Sequence, residues 1–286
     1  MVNSTKTVLI TGCSSGIGKE LSFFLREKGW LVYPTTRTEE EAEVLRKEGF
    51  DSFQLDVNSS DSLASALKSI LEKTGGRLDA VINNAGFELI GAVEDLPREA
   101  IRAQFETNVF GAMELVKLLL PVMRKQGFGR ILFIGSVACS RVAFPFSGAY
   151  CASKYALSAF TDALRRELHG TSIAVSLIEP GLFKTNNIDT SKEMFLKYTE
   201  RKGSCYSSVY DKMFTFFKRV SLALPESNLS ILSKVVYRTL ENRRPKTRVA
   251  VPFKTAFIYG AVHKFCPDWL IDLLLLHKMK YKDKIL

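Results

Sequence analysis

The sequence predicts a doubly wound α/β fold, a parallel sheet with helices on both faces. Three observations lead to this prediction. Short apolar runs of strand length alternate with longer amphipathic segments of helix length over the first 180 residues. A glycine-rich turn follows the first apolar run, and polar residues follow several of the others. No low-complexity linker or internal repeat divides the 286 residues, so we expect a single domain covering 1–286.

The predicted elements follow one another as β-α units. The expected strands are Thr7–Thr11, Trp30–Thr35, Ser52–Leu55, Ala80–Ile82, Arg130–Ile134 and Ser172–Ile178. The expected helices follow the glycine turn and then cover 38–48, 59–73, 98–126 and a segment from Tyr150 to about His169. The alternation is expected to stop after Pro180-Gly181. We interpret 182–225 as a helical lid over the substrate, the alternative being a surface excursion without function.

Composition and charge restrict the class of protein. The hydrophobic content of 46% and the charged content of 24% are typical of a globular protein. Of the net charge of +10, six units come from residues 241–286, where ten Lys and Arg face four Asp and Glu. Solvation explains such a segment more simply than nucleic acid does, because acids are interspersed and no nucleic-acid-binding motif occurs. We therefore expect no nucleic-acid partner.

Cysteine and histidine usage predicts neither a metal site nor a disulfide framework. The five cysteines are odd in number and form no C-x-x-C pair, and the three histidines lie far apart. A reducing compartment fits this usage. The first strand begins within a few residues of Met1, too soon for the apolar core of a signal peptide, so the expected location is cytoplasmic.

The turn after the first strand reads G-x-x-x-G-x-G, with Gly12, Gly16 and Gly18 as its glycines. Strand, glycine-rich turn and helix in this order are typical of a phosphate cradle, because the main chain approaches a pyrophosphate and the helix N-terminus offers N–H donors. A P-loop does not fit, since Cys13 and Glu20 occupy two of its required positions. The alternative is a tight βα connection without a ligand.

Tyr150 and Lys154 are four residues apart at the start of a predicted helix. Residues at this spacing lie on the same helix face, so the ammonium group comes close to the phenol. A nearby cation favours a phenolate over a phenol, which makes a tyrosine usable as an acid or base near neutral pH. The pair alone is also common on solvated helices, where it has no catalytic role.

Taken together and in order, these motifs resemble the short-chain dehydrogenase/reductase family over about residues 5–186. The resemblance includes Asn83-Asn84-Ala85-Gly86 after the fourth strand and is greatest to retinol dehydrogenases, 17β-hydroxysteroid dehydrogenases and related bacterial oxidoreductases. It implies a Rossmann-type fold and a catalytic tetrad of Asn108, Ser136, Tyr150 and Lys154. It also implies a cofactor site made of Gly12, Ser14, Ser15, Gly16, Ile17, Gly18, Arg37, Asp56, Val57, Asn83, Ala85, Gly86, Tyr150, Lys154, Pro180, Gly181 and Thr185.

The resemblance further implies hydride transfer between a nicotinamide ring and a carbonyl or alcohol carbon. Ser136 would bind the substrate oxygen, Tyr150 would exchange the proton, and Lys154 would tune the phenol and hold the ribose. Asn108 would anchor a water that links Lys154 to solvent, the alternative being a satisfied core amide. Members of the family are often dimers or tetramers. A catalytically silent dinucleotide-binding regulator is the competing function, although all four residues of the tetrad are present.

Arg37 predicts a preference for NADP(H) over NAD(H). Folds of this kind that prefer NAD place an acid about 20 residues after the glycine turn, to bind the ribose 2′-hydroxyl. This chain has Arg37 there and no acid until Glu39. A guanidinium pairs with a 2′-phosphate. The alternative is a solvated arginine that opens the next helix.

The C-terminal segment, 250–286, combines apolar and basic residues. Aromatic and aliphatic side chains lie between lysines at positions 254, 264, 278, 280, 282 and 284. Such a segment suits a helix in a membrane interface, and it equally suits a helix packed on the substrate pocket or in an oligomer interface. Either arrangement favours a lipophilic alcohol, aldehyde or ketone over a sugar.

Overall fold

The computed structural model describes residues 5–137, 142–181, 183, 187–199, 203–210, 212–213, 228–252 and 266–279. Its centre is a seven-stranded sheet with the strand order β3-β2-β1-β4-β5-β6-β7, and every neighbouring pair is parallel. The strands are β1 Thr7–Ile10, β2 Leu31–Thr36, β3 Phe53–Gln54, β4 Ala80–Asn83, β5 Gly129–Ile134, β6 Ile173–Pro180 and β7 Arg248–Val251. The predicted doubly wound fold is confirmed.

Helices follow the strands and cover both faces of the sheet. They are α1 Gly16–Glu27, α2 Glu39–Lys47, α3 Ser60–Lys73, α4 Arg98–Phe105, α5 Gly111–Gln126, α6 Gly148–Glu167, α7 Asn187–Tyr198, α8 Asn228–Glu241 and α9 Asp268–Met279. Among the described helices, none is long and apolar enough to cross a membrane.

The alternation of side chains along β1 divides the core between the two faces. Val8 and Ile10 belong to a buried cluster with residues of α1 and α8, such as Leu21 and Val236. Leu9, between them, belongs to the cluster on the other face, which includes side chains of α3, α5 and α6. Because β1 is buried on both faces, it reads as a continuous apolar run in the sequence.

The predicted helix over 98–126 is interrupted. A π-helical turn, Glu106–Phe110, separates α4 from α5, and Gly111 N–H bonds to the carbonyl of Glu106 five residues earlier. π-helical turns are rare in proteins, and those that occur frequently lie at functional sites. The single-helix prediction is wrong here, and the interruption surrounds Asn108.

The prediction that the alternation stops after Pro180-Gly181 is also wrong. α8 and β7 continue it, and β7 pairs with β6 from Leu177↔Arg248 to Pro180↔Val251. The predicted boundary of the C-terminal segment, residue 250, therefore lies inside a strand. The apolar residues at positions 253–265, part of the set on which the membrane hypothesis is based, lie outside the described residues.

Part of the predicted lid, 182–225, also lies outside the described residues, but its described portions pack against the loop that follows β4. Phe195, Tyr210 and Met213 form a buried cluster with Ile90 and Phe146. Thr199 Oγ1 donates a hydrogen bond to the carbonyl of Ile90 at 2.8 Å. These contacts show that the described portions pack on the fold.

Candidate active site

The carboxyl ends of β1 and β4 lie side by side at the point where the strand order reverses. The chain continues from β1 to β2 on one side, while β4 lies on the other side of β1. Open α/β sheets bind ligands in the crevice at such a switch point. The glycine turn follows β1 and the Asn83–Gly86 segment follows β4, so both motifs lie at this switch point.

Close main-chain packing shapes the glycine turn. Gly12 has a φ of +71°, in the left-handed region, and a Cβ placed on it would lie 2.8 Å from Ala85 Cα. A Cβ on Gly18 would lie 2.2 Å from the carbonyl oxygen of Gly12. These contacts leave no room for side chains, and they hold the turn against the segment after β4.

Two residues outside the predicted site fasten these segments together. Thr11 Oγ1 accepts hydrogen bonds from the main-chain N–H groups of Asn84 and Ala85, both at 3.0 Å. Asn84 Nδ2 donates to the carbonyls of Thr11 and Gly12, both at 2.9 Å. Thr11 and Asn84 lie beside the glycine turn and within the Asn83–Gly86 segment. Their membership of these motifs could have identified them from the sequence.

The N-terminus of α1 differs from those of α2 and α3. Thr38 and Ser59 accept capping hydrogen bonds from the first turns of α2 and α3, and both of these turns contain acids. Ser15 at the start of α1 makes no side-chain capping bond, and the first turn of α1 has no acid. An uncapped helix start with free N–H donors and the positive dipole end suits a phosphate group.

Arg37 is the residue that the sequence predicts to pair with a ribose 2′-phosphate. It follows β2 directly and is exposed, and its main-chain carbonyl accepts a hydrogen bond from Gln54 Nε2 at 3.3 Å. Glu39, the nearest acid after it, is bound by Arg46, with Arg46 Nη1 2.6 Å from Glu39 Oε1. This hydrogen bond holds the pKa of Glu39 below its usual range.

Asp56 and Val57, two residues of the predicted cofactor site, follow β3. Asp56 Oδ1 accepts a hydrogen bond from the main-chain N–H of Asn58 at 2.9 Å, a local turn that fixes the carboxylate. Val57 is buried, and a Cβ on Gly111 would lie 2.2 Å from its carbonyl oxygen. The start of α5 therefore presses directly on this loop.

Asn83, the last residue of β4, leaves an acceptor atom without a partner. Its Nδ2 donates to the carbonyl of Leu132 at 3.3 Å, while its Oδ1 is buried and has no hydrogen-bond partner among the described residues. A buried polar atom of this kind is costly unless a bound group or water satisfies it. Its place at the end of β4 is consistent with the predicted cofactor site.

The side chain of Asn108 is fully engaged by protein groups. Its Oδ1 accepts from the N–H of Phe87 at 3.1 Å, and its Nδ2 donates to the carbonyl of Phe87 and to Ser153 Oγ, both at 3.0 Å. The side chain is thus a satisfied core amide, the alternative considered from the sequence. Ser153 was not predicted, because no pattern marks a serine between Tyr150 and Lys154 as a partner of a residue 45 positions earlier.

Lys154 is buried and points toward the end of β5. Its Nζ donates a hydrogen bond to the carbonyl of Ile134 at 2.8 Å and lies 5.7 Å from the centre of the Tyr150 ring. A Cβ on Gly86 would lie 3.8 Å from this Nζ and 2.9 Å from Asn108 Oδ1. The structure therefore brings Tyr150, Lys154, Asn108 and Gly86 together, as the sequence predicts.

Ser136 and Pro180-Gly181 are held beside each other after β5 and β6. The N–H of Gly135 bonds to the carbonyl of Ile178 at 2.7 Å, and that of Val137 bonds to the carbonyl of Pro180 at 2.8 Å. Ser136 lies between these two bonds and is partly exposed. Thr185, the last predicted cofactor residue, lies outside the described residues.

A group of aromatic residues packs together near the start of α6. Phe146, at a φ of +63°, packs edge-on against Tyr206 and Tyr210, with ring centres 5.3 and 5.8 Å apart. The Tyr210 hydroxyl donates to Asp95 and accepts from the N–H of Ala92 at 2.9 Å. Burial, with the Asp95 hydrogen bond, raises the pKa of Tyr210 above its usual range. This group, here called the aromatic wall, comprises Phe146, Phe195, Tyr206 and Tyr210.

The described residues contain no cluster of His, Cys, Asp or Glu that could hold a metal ion. The glycine turn at the switch point and the parallel α/β sheet define a protein of the dinucleotide-binding class. Comparison with known proteins identifies the family within this class. Residues 6–194 match the family model described as short chain dehydrogenase. The chain belongs to the short-chain dehydrogenase/reductase family of oxidoreductases.

Proteins from bacteria and from mammals are similar in sequence to this chain. The chain is 42% identical over 184 residues to the uncharacterized oxidoreductase YbbO of Escherichia coli K12, covering 64% of this chain and 68% of that protein. It is 32% identical over 280 residues to mouse retinol dehydrogenase 7, covering 94% and 87%. Among solved structures, a short-chain dehydrogenase from Streptomyces avermitilis superimposes with a TM-score of 0.77 at 25% identity, covering 99% of both chains.

Proposed function

We propose that this protein is an NADP(H)-dependent oxidoreductase that interconverts a carbonyl and an alcohol on a lipophilic substrate. One observation carries the proposal. The tyrosine-lysine pair lies beside the glycine cradle, with Lys154 Nζ fixed on the Ile134 carbonyl, 5.7 Å from the Tyr150 ring. Acid/base chemistry and dinucleotide binding therefore share one crevice.

The bound nicotinamide cofactor would supply or accept the hydride. Tyr150 gives a proton to the substrate oxygen in reduction and takes it back in oxidation. Ser136 donates a hydrogen bond to the same oxygen, where negative charge builds up. Lys154 keeps positive charge near the phenol.

Asn108 takes a structural part in this proposal rather than binding water through its amide. Its side chain ties the loop at Phe87 to Ser153 of α6. Ser153 in turn donates to the carbonyl of Tyr150 at 2.7 Å. A water that links Lys154 to solvent would be held by main-chain carbonyls at the π-helical turn, where the regular helical bonds are interrupted.

The electrostatics at the end of β2 support NADP(H). Arg37 is exposed at the position where an NAD-preferring fold needs an acid, and Glu39 is occupied by Arg46. A guanidinium pairs with the ribose 2′-phosphate through charge-assisted hydrogen bonds, and no carboxylate competes at that position.

The substrate side supports a lipophilic compound. The aromatic wall and a second apolar cluster, formed by Phe87, Leu89, Leu96 and Ala149 with Met194 and Tyr198 against it, lie around the loop after Gly86 and the start of α6. Apolar walls with few polar groups are typical of pockets for lipophilic ligands. The portion of 182–225 that forms them would act as the lid.

Membrane contact through the C-terminal segment is part of the proposal. In α9, Trp269 is 67% exposed and Leu273 is 51% exposed, while Ile271 is buried. Exposed apolar residues within a lysine-rich C-terminal segment suit a membrane interface. Sedimentation with anionic vesicles at low salt tests it, with a chain ending at Pro252 as the comparison so that β7 stays intact. Equal sedimentation of the two chains would leave α9 with a packing role, on this fold or between copies of the chain.

A cofactor-consumption screen tests the proposed function as a whole. NADPH and NADH would be offered with aldehydes, retinals, ketosteroids and 3-keto lipids, and NADP and NAD with the alcohols. We expect turnover with NADP(H) on at least one lipophilic class, and none with sugars. The Tyr150→Phe variant is the control for contaminating activity. Binding of the dinucleotide without turnover of any substrate would favour the silent regulator instead.

A further inference from the structure

Arg248 connects three elements of the site from the edge of the sheet. It is the first residue of β7, and its side chain lies on the α6 face. Its Nη2 donates to Ser158 Oγ at 2.6 Å and to Asp162 Oδ2 at 2.8 Å, both on α6. Its Nη1 lies 3.6 Å from Glu179 Oε1 on β6. One guanidinium therefore contacts β6 and two turns of α6.

Glu179 is completely buried, with a side-chain exposure of 0%. A carboxylate in the protein interior needs a nearby cation and hydrogen bonds to remain charged there. Glu179 directly precedes Pro180-Gly181, which belong to the predicted cofactor site. The charge of Arg248 thus acts at the last residues of β6, where the strand reaches the site.

The α6 residues that Arg248 contacts lie on the same helix face as Tyr150 and Lys154. One face of α6 carries polar residues at four-residue intervals. They are Tyr150, Lys154, Ser158 and Asp162. Lys154 bonds the N-terminal part of this face to β5 through the carbonyl of Ile134. Arg248 connects the part nearer the C-terminus of α6 to β6 and β7.

We propose that Arg248 is a positioning residue for catalysis. It fixes how far α6 slides along β6, and so sets the spacing between Tyr150 and the Pro180-Gly181 end of that strand. This inference rests on the proposed function, because it takes Tyr150 as the acid/base. Proton transfer requires hydrogen-bond distance, and a displacement of about 1 Å can cost roughly a hundredfold in rate.

Arg165 provides a matched control. Its Nη2 lies 3.8 Å from Asp162 Oδ1, and its side chain is 33% exposed, the same fraction as that of Arg248. Both arginines therefore place a cation at Asp162. Only Arg248 also bonds Ser158 and approaches Glu179. A difference between the two variants isolates the connection from α6 to β6 and β7.

The kinetic test compares Arg248→Met, Arg248→Lys and Arg165→Met in the full chain. We expect Arg248→Met to lower kcat by roughly ten- to hundredfold, with KM changed far less. Arg248→Lys should recover part of kcat, and Arg165→Met should stay within about twofold of the parent. Adding Glu179→Gln to Arg248→Met should also restore kcat in part, because the buried charge is removed.

Two outcomes would overturn the proposal. One is a kcat of Arg248→Met equal to that of Arg165→Met. The other is a loss of kcat that disappears when rates are divided by the folded fraction, since that marks a purely structural ion pair.

Hydrogen exchange keeps this test separate from the proposed function. If the parent protein turns over no substrate, the proposed function fails, but the amide exchange of residues 148–157 in the cofactor-free protein still reports on α6. Faster exchange there in Arg248→Met than in Arg165→Met supports the positioning role. Equal exchange in the two variants contradicts it.

Discussion

The glycine turn after β1 and the helix α6 belong to the same crevice but are held by different kinds of contact. The turn is held by main-chain approach, with Gly12 and Gly18 so close to their neighbours that a Cβ would not fit, and by the hydrogen bonds of Thr11 and Asn84. α6 packs through buried apolar residues such as Leu157 and Leu164, and its polar side chains Lys154, Ser158 and Asp162 bond to other elements far away in the chain.

Substitutions in the glycine turn, here called the cofactor half, and in α6, the catalytic half, should therefore have different effects. A glycine substitution acts by volume and backbone strain, and its damage is local to the turn. A substitution in the polar line of α6 leaves a charge or donor without its partner and shifts the helix that carries Tyr150. The two halves should therefore be separable, one affecting binding and the other chemistry.

The largest effect on the cofactor half is expected from Gly12→Ala. The new Cβ meets Ala85 Cα at 2.8 Å in addition to the strain of a positive φ. Gly29→Ala is the matched control, because Gly29 has a φ of +84° with nothing within 4 Å. Both variants should lose about 1–3 kcal/mol of unfolding free energy from backbone strain. Only Gly12→Ala should also weaken NADP binding, by at least roughly tenfold in a fluorescence titration; equal affinities in the two variants would refute the cradle.

Lys154→Ala should damage both halves. It removes the cation near Tyr150 and leaves the Ile134 carbonyl without its donor. We expect kcat to fall by roughly 10²- to 10⁴-fold, the range typical of a lost acid/base contribution. NADP affinity should fall as well, because the same ammonium is proposed to hold the ribose. Unchanged cofactor affinity would show that Lys154 acts only on the phenol.

Arg37→Ala should change cofactor preference and little else. We expect NADP binding to weaken by roughly tenfold or more, the value of a hydrogen bond to a charged group. NAD affinity should stay the same, since NAD carries no 2′-phosphate. Arg37→Lys is the control that keeps the charge and loses the paired geometry. Equal or tighter binding of NAD than NADP by the parent protein would count against the prediction.

The smallest effect concerns Cys13 in the glycine turn. Burial raises the pKa of its thiol from 9.0 to about 12. Because the pKa in the folded protein lies above the unfolded value, the thiol contributes stability below pH 9 that is lost as the pH rises toward 12. Between pH 9 and 10.5, urea unfolding should show a steeper loss for the parent than for Cys13→Ala, by about 1.4 kcal/mol per pH unit at most. Parallel curves would contradict it.

The sequence predicted the glycine turn and the strands around it far better than the contacts that hold α6. Glycines that permit close approach are visible as letters, and the strands before and after them are short apolar runs. Strands β1 to β6 and the ends of α2, α3 and α6 therefore lie within a few residues of their predicted bounds. These features depend on local patterns of two to four residues.

The contacts that hold α6 depend on residues far apart in the chain. Asn108 bonds to Phe87 and Ser153, and Arg248 bonds to Ser158 over 90 positions. No spacing rule links such residues. β7 was missed for the same reason: its four residues begin with a charged arginine, and only pairing with β6 identifies them as a strand.

The most direct test of the account is a paired measurement on Tyr150→Phe. This variant removes one hydroxyl from α6 and leaves the glycine turn unchanged. Turnover of the substrate found in the screen should fall by roughly 10²- to 10⁴-fold, while the NADP dissociation constant stays within about twofold of the parent value. Near-normal turnover would contradict the assignment of Tyr150 as the acid/base, and a matching loss of cofactor affinity would contradict the separation of the two halves.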